Sequence, residues 1–249
     1  MRTAQRKAYD VAERERRLLR TALDVISRDG LHQLTLGRLA QEAGYSKGTV
    51  YHHFTCREDL LVELSAESLR RQSRAFQSVA ELPWDGVRAL YGLAFAAMRH
   101  AETQPALFES SVTALTDAVL GAASQERLDR RRLVAEQTTR IVVAVVERTV
   151  REGEFGHPEL PAEVAVDALR SAVLGYAVTH LLPRRAAPAD ARARDSRPAI
   201  TASLVHGLGW PRLGAAALAE VRRAVDELIP APGPAGAPTR SDGSARSDG

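Results

Sequence analysis

The sequence holds a single cysteine, Cys56, and aromatic residues make up only 5% of its 249 positions. One thiol excludes an intrachain disulfide and any Cys-rich zinc module. With few aromatics, and with β-branched residues gathered in helix-like stretches instead of alternating, the pattern argues against a large β-sandwich or barrel. The longest aliphatic run, residues 141–146, falls far short of a membrane span, and the Arg-rich start leads into no apolar signal core; the expectation is a cytoplasmic protein without a membrane partner. Lysine is nearly missing as well, since Lys7 and Lys47 are the only two among 34 basic residues.

What is present is an apolar fraction of 45%, ample for a buried core. The net charge of +3 hides a division: residues 1–60 carry 11 Lys/Arg against 8 Asp/Glu, whereas residues 61–182 carry 13 against 16. The N-terminal part is where a polyanion would dock. Along the chain, apolar residues recur at helical spacing. Leu19, Ala22, Leu23 and Ile26 mark an amphipathic helix between Glu13 and Arg28, stopped by Gly30; Thr35 caps a short helix closed by Gly44; Ser46 caps another, Lys47 to Phe54. Thr55 with Glu58 reads as a capping box for a fourth helix running to about Ser78. Further helices are expected from Pro83, after a break at Gln104-Pro105, from Gln125 to Glu152, from Pro161 to Leu182, at Ala199–Leu208 and at Arg212–Ile229. Residues 183–198 read as a mobile loop and 230–249 as a disordered tail. The predicted class is all-α.

Residues Leu36 to Phe54, LGRLAQEAGYSKGTVYHHF, meet the physical needs of a helix-turn-helix. Ala40 is small where two helices cross, Gly44 permits a left-handed turn, and Val50 faces back to lock the second helix on the first. That leaves Ser46, Lys47, Thr49, Tyr51, His52 and His53 facing outward, all able to donate hydrogen bonds to phosphates or base edges.

Over about residues 13–65 the sequence resembles the TetR family of transcriptional regulators, through Thr35, the stretch Ser46-Lys47-Gly48-Thr49-Val50-Tyr51-His52-His53-Phe54, and the continuation Arg57-Glu58-Asp59-Leu60-Leu61. The resemblance implies a flexible basic arm (1–12, with Arg2, Arg6 and Lys7 reaching for DNA), a three-helix DNA-binding domain (13–60), a helical effector-binding and dimerisation domain (61–229) and the tail. It implies that Thr35 and Tyr51 grip phosphates, that His52 and His53 contact the DNA backbone or its edge, that Lys47 and Thr49 read bases, and that Gly48 lets the duplex approach. The dipole at the start of that helix favours a phosphate as well. The implied function is a homodimeric repressor on a palindromic operator, with half-sites about 34–36 Å apart, released by an apolar small-molecule effector and needing no cofactor or metal. The stripe Trp84, Tyr91, Phe95 and Met98, with Phe108, Thr138, Tyr176 and His180, is then the candidate effector wall. The apolar faces of Pro161–Leu182 and Ala199–Leu208 are expected to pair with their symmetry mates in a four-helix bundle.

Other readings compete. Gly44-Tyr45-Ser46-Lys47-Gly48 fits the G-x-S-x-G elbow of a serine hydrolase using Ser46, which requires a strand before it. His52, His53 and Cys56 fall within one turn, as metal ligands do, and Arg130-Arg131-Arg132 reads first as a solvated helix face and second as a contact for an anionic effector. A helical adaptor that binds only protein is a third reading.

Overall fold

The computed structural model describes residues 2–155, 157, 159–181 and 196–231. Among them all regular structure is helical. Helix α1 spans Arg2–Asp29, so residues 2–12 are not the flexible arm expected of them. Their composition explains the correction: no Gly or Pro interrupts residues 2–29, and Ala, Arg, Gln and Lys all favour a helix. Leu18, Ala22 and Val25, at 3- and 4-residue steps, are fully or almost fully buried. Gly30, at φ 90°, ends the helix in a conformation that costs other residues strain.

Three short elements follow. Thr35 Oγ1 accepts from the Arg38 amide (3.1 Å) and starts α2 (Leu36–Ala43). Gly44, at φ 69°, closes it in the left-handed conformation. Ser46 Oγ accepts from the Thr49 amide (3.1 Å) and starts α3 (Lys47–His53). Helix α4 (Arg57–Ala80) is capped one residue later than the sequence suggests: Cys56 Sγ, not Thr55, accepts the Asp59 amide. The Thr55 hydroxyl instead donates to the Asp59 carboxylate, whose other oxygen accepts from the Ser124 amide at 2.7 Å. Thus Asp59 serves a distant loop as well as its own helix start.

The remaining elements are α5 (Gly86–Thr103), α6 (Pro105–Thr113), the one-turn α7 (Asp117–Leu120), the long α8 (Gln125–Arg151), α9 (Ala162–Tyr176), α10 (Arg197–Gly207) and α11 (Ala215–Leu228). The helix expected from Pro161 to Leu182 changes to π-type winding over Ala177–Leu181. Most of the 183–198 loop and residues 232–249 of the tail lie outside the described residues. Among those described, no helix is long and apolar enough to cross a membrane.

Two apolar cores form. The first joins α1, α2 and α3 to the start of α4 and is completed by Leu107 and Val119, which the sequence reading assigned to the following domain. The second gathers the end of α4 with α5, α8, α9, α10 and α11 around Trp210, whose indole donates to Thr149 Oγ1 at 2.7 Å. Helix α4 supplies buried residues to both cores, and α8 also reaches both, through Leu128 at one end and Val145 and Val146 at the other.

Candidate nucleic-acid interface and effector cavity

On α3, Val50 and Phe54 are fully buried. Their spacing turns one side of the helix inward and leaves Lys47, Gly48, Tyr51 and His52 exposed, with Thr49 half-buried and Ser46 exposed at the cap. Tyr51 stands out as an aromatic that is 52% exposed. Thr35, one helix earlier, is exposed too, though its hydroxyl already caps α2. The structure thus places a short, convex, polar row at the surface.

His53 is a correction. Its side chain is 2% exposed and its Nδ1 lies 3.6 Å from Glu15 Oε2. Three residues after Val50, it shares the inward face; burial pushes its pKa down against the opposing pull of Glu15. It does not present itself to a duplex. Behind it lies a cluster that sequence reasoning missed. Arg127, from the first turn of α8, pairs with Glu15 of α1 and with Glu63 of α4 (2.6 Å), and its Nη2 donates to the carbonyl oxygen of His53 at 2.8 Å. Its guanidinium also lies 4.9 Å from the Phe54 ring centre. Burial raises the Glu15 pKa, but the hydrogen bond and charge of Arg127 outweigh it, and Glu15 is held below the ordinary carboxylate range. One arginine therefore ties α8 to the C-terminal end of α3.

The serine-hydrolase geometry is missing: Ser46 sits between two helices and its hydroxyl is engaged by the Thr49 amide and hydroxyl. Cys56 Sγ faces the Asp59 amide and the Ala122 carbonyl, and among the described residues no three His, Cys, Asp or Glu are grouped to hold a metal.

A cavity of about 500 Å³ lies between α4, α5, α6, α8 and α9, within the usual range for small-molecule sites. Of the expected wall, Phe108 and Thr138 line it. Trp84, Tyr91, Phe95, Met98 and Tyr176 do not: Trp84 packs over Gly92, the Tyr91 hydroxyl points to the Pro211 carbonyl (3.4 Å), Phe95 and Met98 are core, and the Tyr176 hydroxyl lies 3.3 Å from Ser196 Oγ. The His180 side chain lies outside the described residues. Helix α5 is covered on several sides, and the cavity borders the side carrying Leu90, Leu93, Ala94, Ala97 and His100. Small alanines leave the space that aromatic rings would fill.

His100 hydrogen-bonds Ser68 at 2.9 Å, and burial, with Arg71 nearby, brings its pKa down to about 4. It is neutral in the folded protein near pH 7. Because its folded pKa lies below the unfolded value of about 6.5, the unfolded chain takes up the proton first as pH falls. Stability present above pH 6.5 is therefore lost between about pH 6.5 and 4, by about 3 kcal/mol at this site. Urea unfolding of His100→Gln against the parent across that range should show the dependence reduced by roughly this amount.

Residues 18–64 match the family model of bacterial regulatory proteins, tetR family. Over 168 residues the chain is 25% identical to the HTH-type transcriptional repressor KstR2 of Mycobacterium tuberculosis, spanning 66% of this chain and 80% of that protein. Among solved structures, a bacterial regulatory protein in the tetR family from Rhodococcus RHA1 superposes with a TM-score of 0.61 at 19% identity, covering 80% of this chain and 98% of the other. The transcriptional regulator FadR from Bacillus subtilis, in complex with stearoyl-CoA, gives 0.60 at 19% identity over 77% and 97%. Capped helix-turn-helix and family match agree: residues 18–64 form a helix-turn-helix domain of the tetR family of bacterial regulatory proteins, and the chain as a whole has an all-helical fold similar to that of TetR-family transcriptional regulators.

Proposed function

We propose that this protein is a homodimeric repressor whose paired α3 helices enter successive major grooves of a palindromic operator, and that a small molecule in the cavity releases it. The observation that carries the reading is the outward row of Lys47, Tyr51 and His52 on a helix whose other side is locked by Val50 and Phe54. Lys47 and Thr49, near the helix start, take bases; Thr35, Ser46 and Tyr51 take phosphates, and Gly48 gives the duplex room. Dimerisation through α9 and α10 is supported by Val164, 48% exposed in the single chain, and by the half-buried Leu204.

Coupling runs along two helices. Both α4 and α8 wall the cavity, and α8 holds the end of α3 through Arg127. A ligand that favours a shifted α8 draws on that contact, and a coupling of about 1–3 kcal/mol corresponds to a 5- to 150-fold loss of operator affinity. The most apolar stretch of the wall, Leu69, Phe76, Leu90, Leu93 and Val142, favours a largely apolar effector. Selection of bound fragments from genomic DNA, followed by gel shifts of the enriched palindrome, tests the reading. One enriched palindrome bound by two copies of the chain is expected; recovery of fragments without any shared sequence, or binding by a monomer, would overturn it.

A further inference from the structure

The cavity wall carries charge of only one sign. No Asp or Glu lines it among the described residues; the charged side chains there are Arg131 and Arg170. Arg170 is paired with Asp167 at 2.8 Å, and both side chains are 66% exposed. Arg131 is different. In the run Arg130-Arg131-Arg132, Arg132 pairs with Asp129, and Arg130 pairs with Glu126 and also lies 3.6 Å from Glu63, so both neighbours have counter-ions. Arg131 instead turns inward, half-buried, and its Nε donates to Ser65 Oγ of α4 at 2.8 Å. Its two terminal nitrogens have no hydrogen-bond partner among the described residues, and no carboxylate lies within ion-pairing distance. Consistent with that, burial alone lowers its pKa, with no neighbouring anion to offset it.

A half-buried guanidinium without a counter-ion is a costly thing to keep. The other polar groups of the wall do not relieve it: the Ser68 and His100 side chains bond to each other, and Thr138 donates to the Val134 carbonyl. Ser111 Oγ, also on the wall, is buried and lacks any partner. The cavity thus offers apolar surface, one unpaired planar cation and, in Gln72, Ser111, Thr139 and Ser171, polar groups with no side-chain hydrogen bond among the described residues.

Resting on the effector reading above, we propose that the ligand is an amphipathic monocarboxylate: its carboxylate takes the free edge of the Arg131 guanidinium and its apolar body fills the space between Leu69, Phe76, Leu93 and Val142. One unpaired cation balances one negative charge, and the two free terminal nitrogens match the two oxygens of a carboxylate. A multiply charged phosphate ester would bring more negative charge into the cavity than this wall neutralises. The same contact gives the ligand a grip on α8 one turn from Arg127, so that filling the cavity and loading the anchor of α3 involve the same helix.

Calorimetric titration of the full chain tests this, with dodecanoate, hexadecanoate and deoxycholate below their micellar concentrations, the methyl ester of each, and dodecanoyl-CoA. At least one acid is expected to bind about 10- to 100-fold more tightly than its own ester. Arg131→Gln is expected to bring the acid down to the ester's affinity and leave the ester's unchanged. Esters or the CoA thioester binding as tightly as the acids, or acid affinity unaltered in Arg131→Gln, would overturn the carboxylate assignment and leave the cavity an effector site of another class. If no compound of any of the three kinds binds, the carboxylate proposal and the effector reading fall together. The comparison of acid with ester in the parent chain needs no variant, so it decides the matter even if Arg131→Gln fails to fold.

Discussion

Arg127→Ala should lower the unfolding free energy by about 2–4 kcal/mol, a drop in Tm of roughly 4–16 °C for a chain of this size. The reason is the asymmetry between removing one member of a buried ion pair and removing all of them. Glu63 is 4% exposed at its side chain and Glu15 20%; both lose their nearest cation and the His53 carbonyl loses its donor, while Arg70, 3.0 Å from Glu63, and Arg130, 3.6 Å from Glu63 and 3.8 Å from Glu15, still offset part of the charge. Differential scanning calorimetry measures the drop. Arg127→Met combined with Glu15→Gln and Glu63→Gln removes the uncompensated charge and should recover most of it. A loss below about 1 kcal/mol in Arg127→Ala would mean that Arg70, Arg130 and water already carry the cluster. The same substitution cuts the tie between α8 and α3, so operator affinity should respond less to any ligand that releases the parent protein.

Arg127 also marks where the sequence stops being informative. Its partners lie 112 and 64 positions away, so nothing in its neighbourhood separates it from the three arginines after it. Local signals were legible wherever the physics is local. The caps at Thr35 and Ser46, the left-handed Gly44 and the inward Val50 and Phe54 are all written within twenty residues, and the structure has them as read. His53 was within reach of the same logic: three residues after Val50, it belongs to the buried face, and its residue type drew it wrongly to the outside. The extent of α1 was legible too, since nothing before Gly30 stops a helix. The cavity was not. On α5, enclosed on several sides, periodicity does not tell which side meets neighbours and which meets empty space. The aromatic stripe was the natural choice, but large rings fill volume; Ala94 and Ala97 leave it.

The exposed side of α3 decides the DNA assignment, and there Lys47→Ala and Tyr51→Ala should each weaken operator binding by about 1–3 kcal/mol, some 5- to 150-fold. Both side chains project from the surface and neither makes a hydrogen bond among the described residues, so stability should stay within about 0.5 kcal/mol of the parent. Salt separates their roles. A side chain that neutralises a phosphate leaves a slope of log affinity against log salt shallower by about 1 when removed, and weakens all sequences alike; one that reads a base relaxes preference at one position. Lys47→Ala is expected to relax the preference, whereas Tyr51→Ala should cost affinity uniformly with little change in slope, its hydroxyl being uncharged. His53→Ala provides the contrast from the buried side of the same helix. It removes the neighbour of Glu15 without exposing anything to the duplex, so it should lower stability and leave the salt slope and base preference as they are. Fluorescence anisotropy on the selected palindrome between 50 and ~300 mM salt reads all three. Parent affinity in both surface variants would mean that the polar row of α3 faces something other than DNA, and would take with it the operator, the release mechanism and the role given to Arg127.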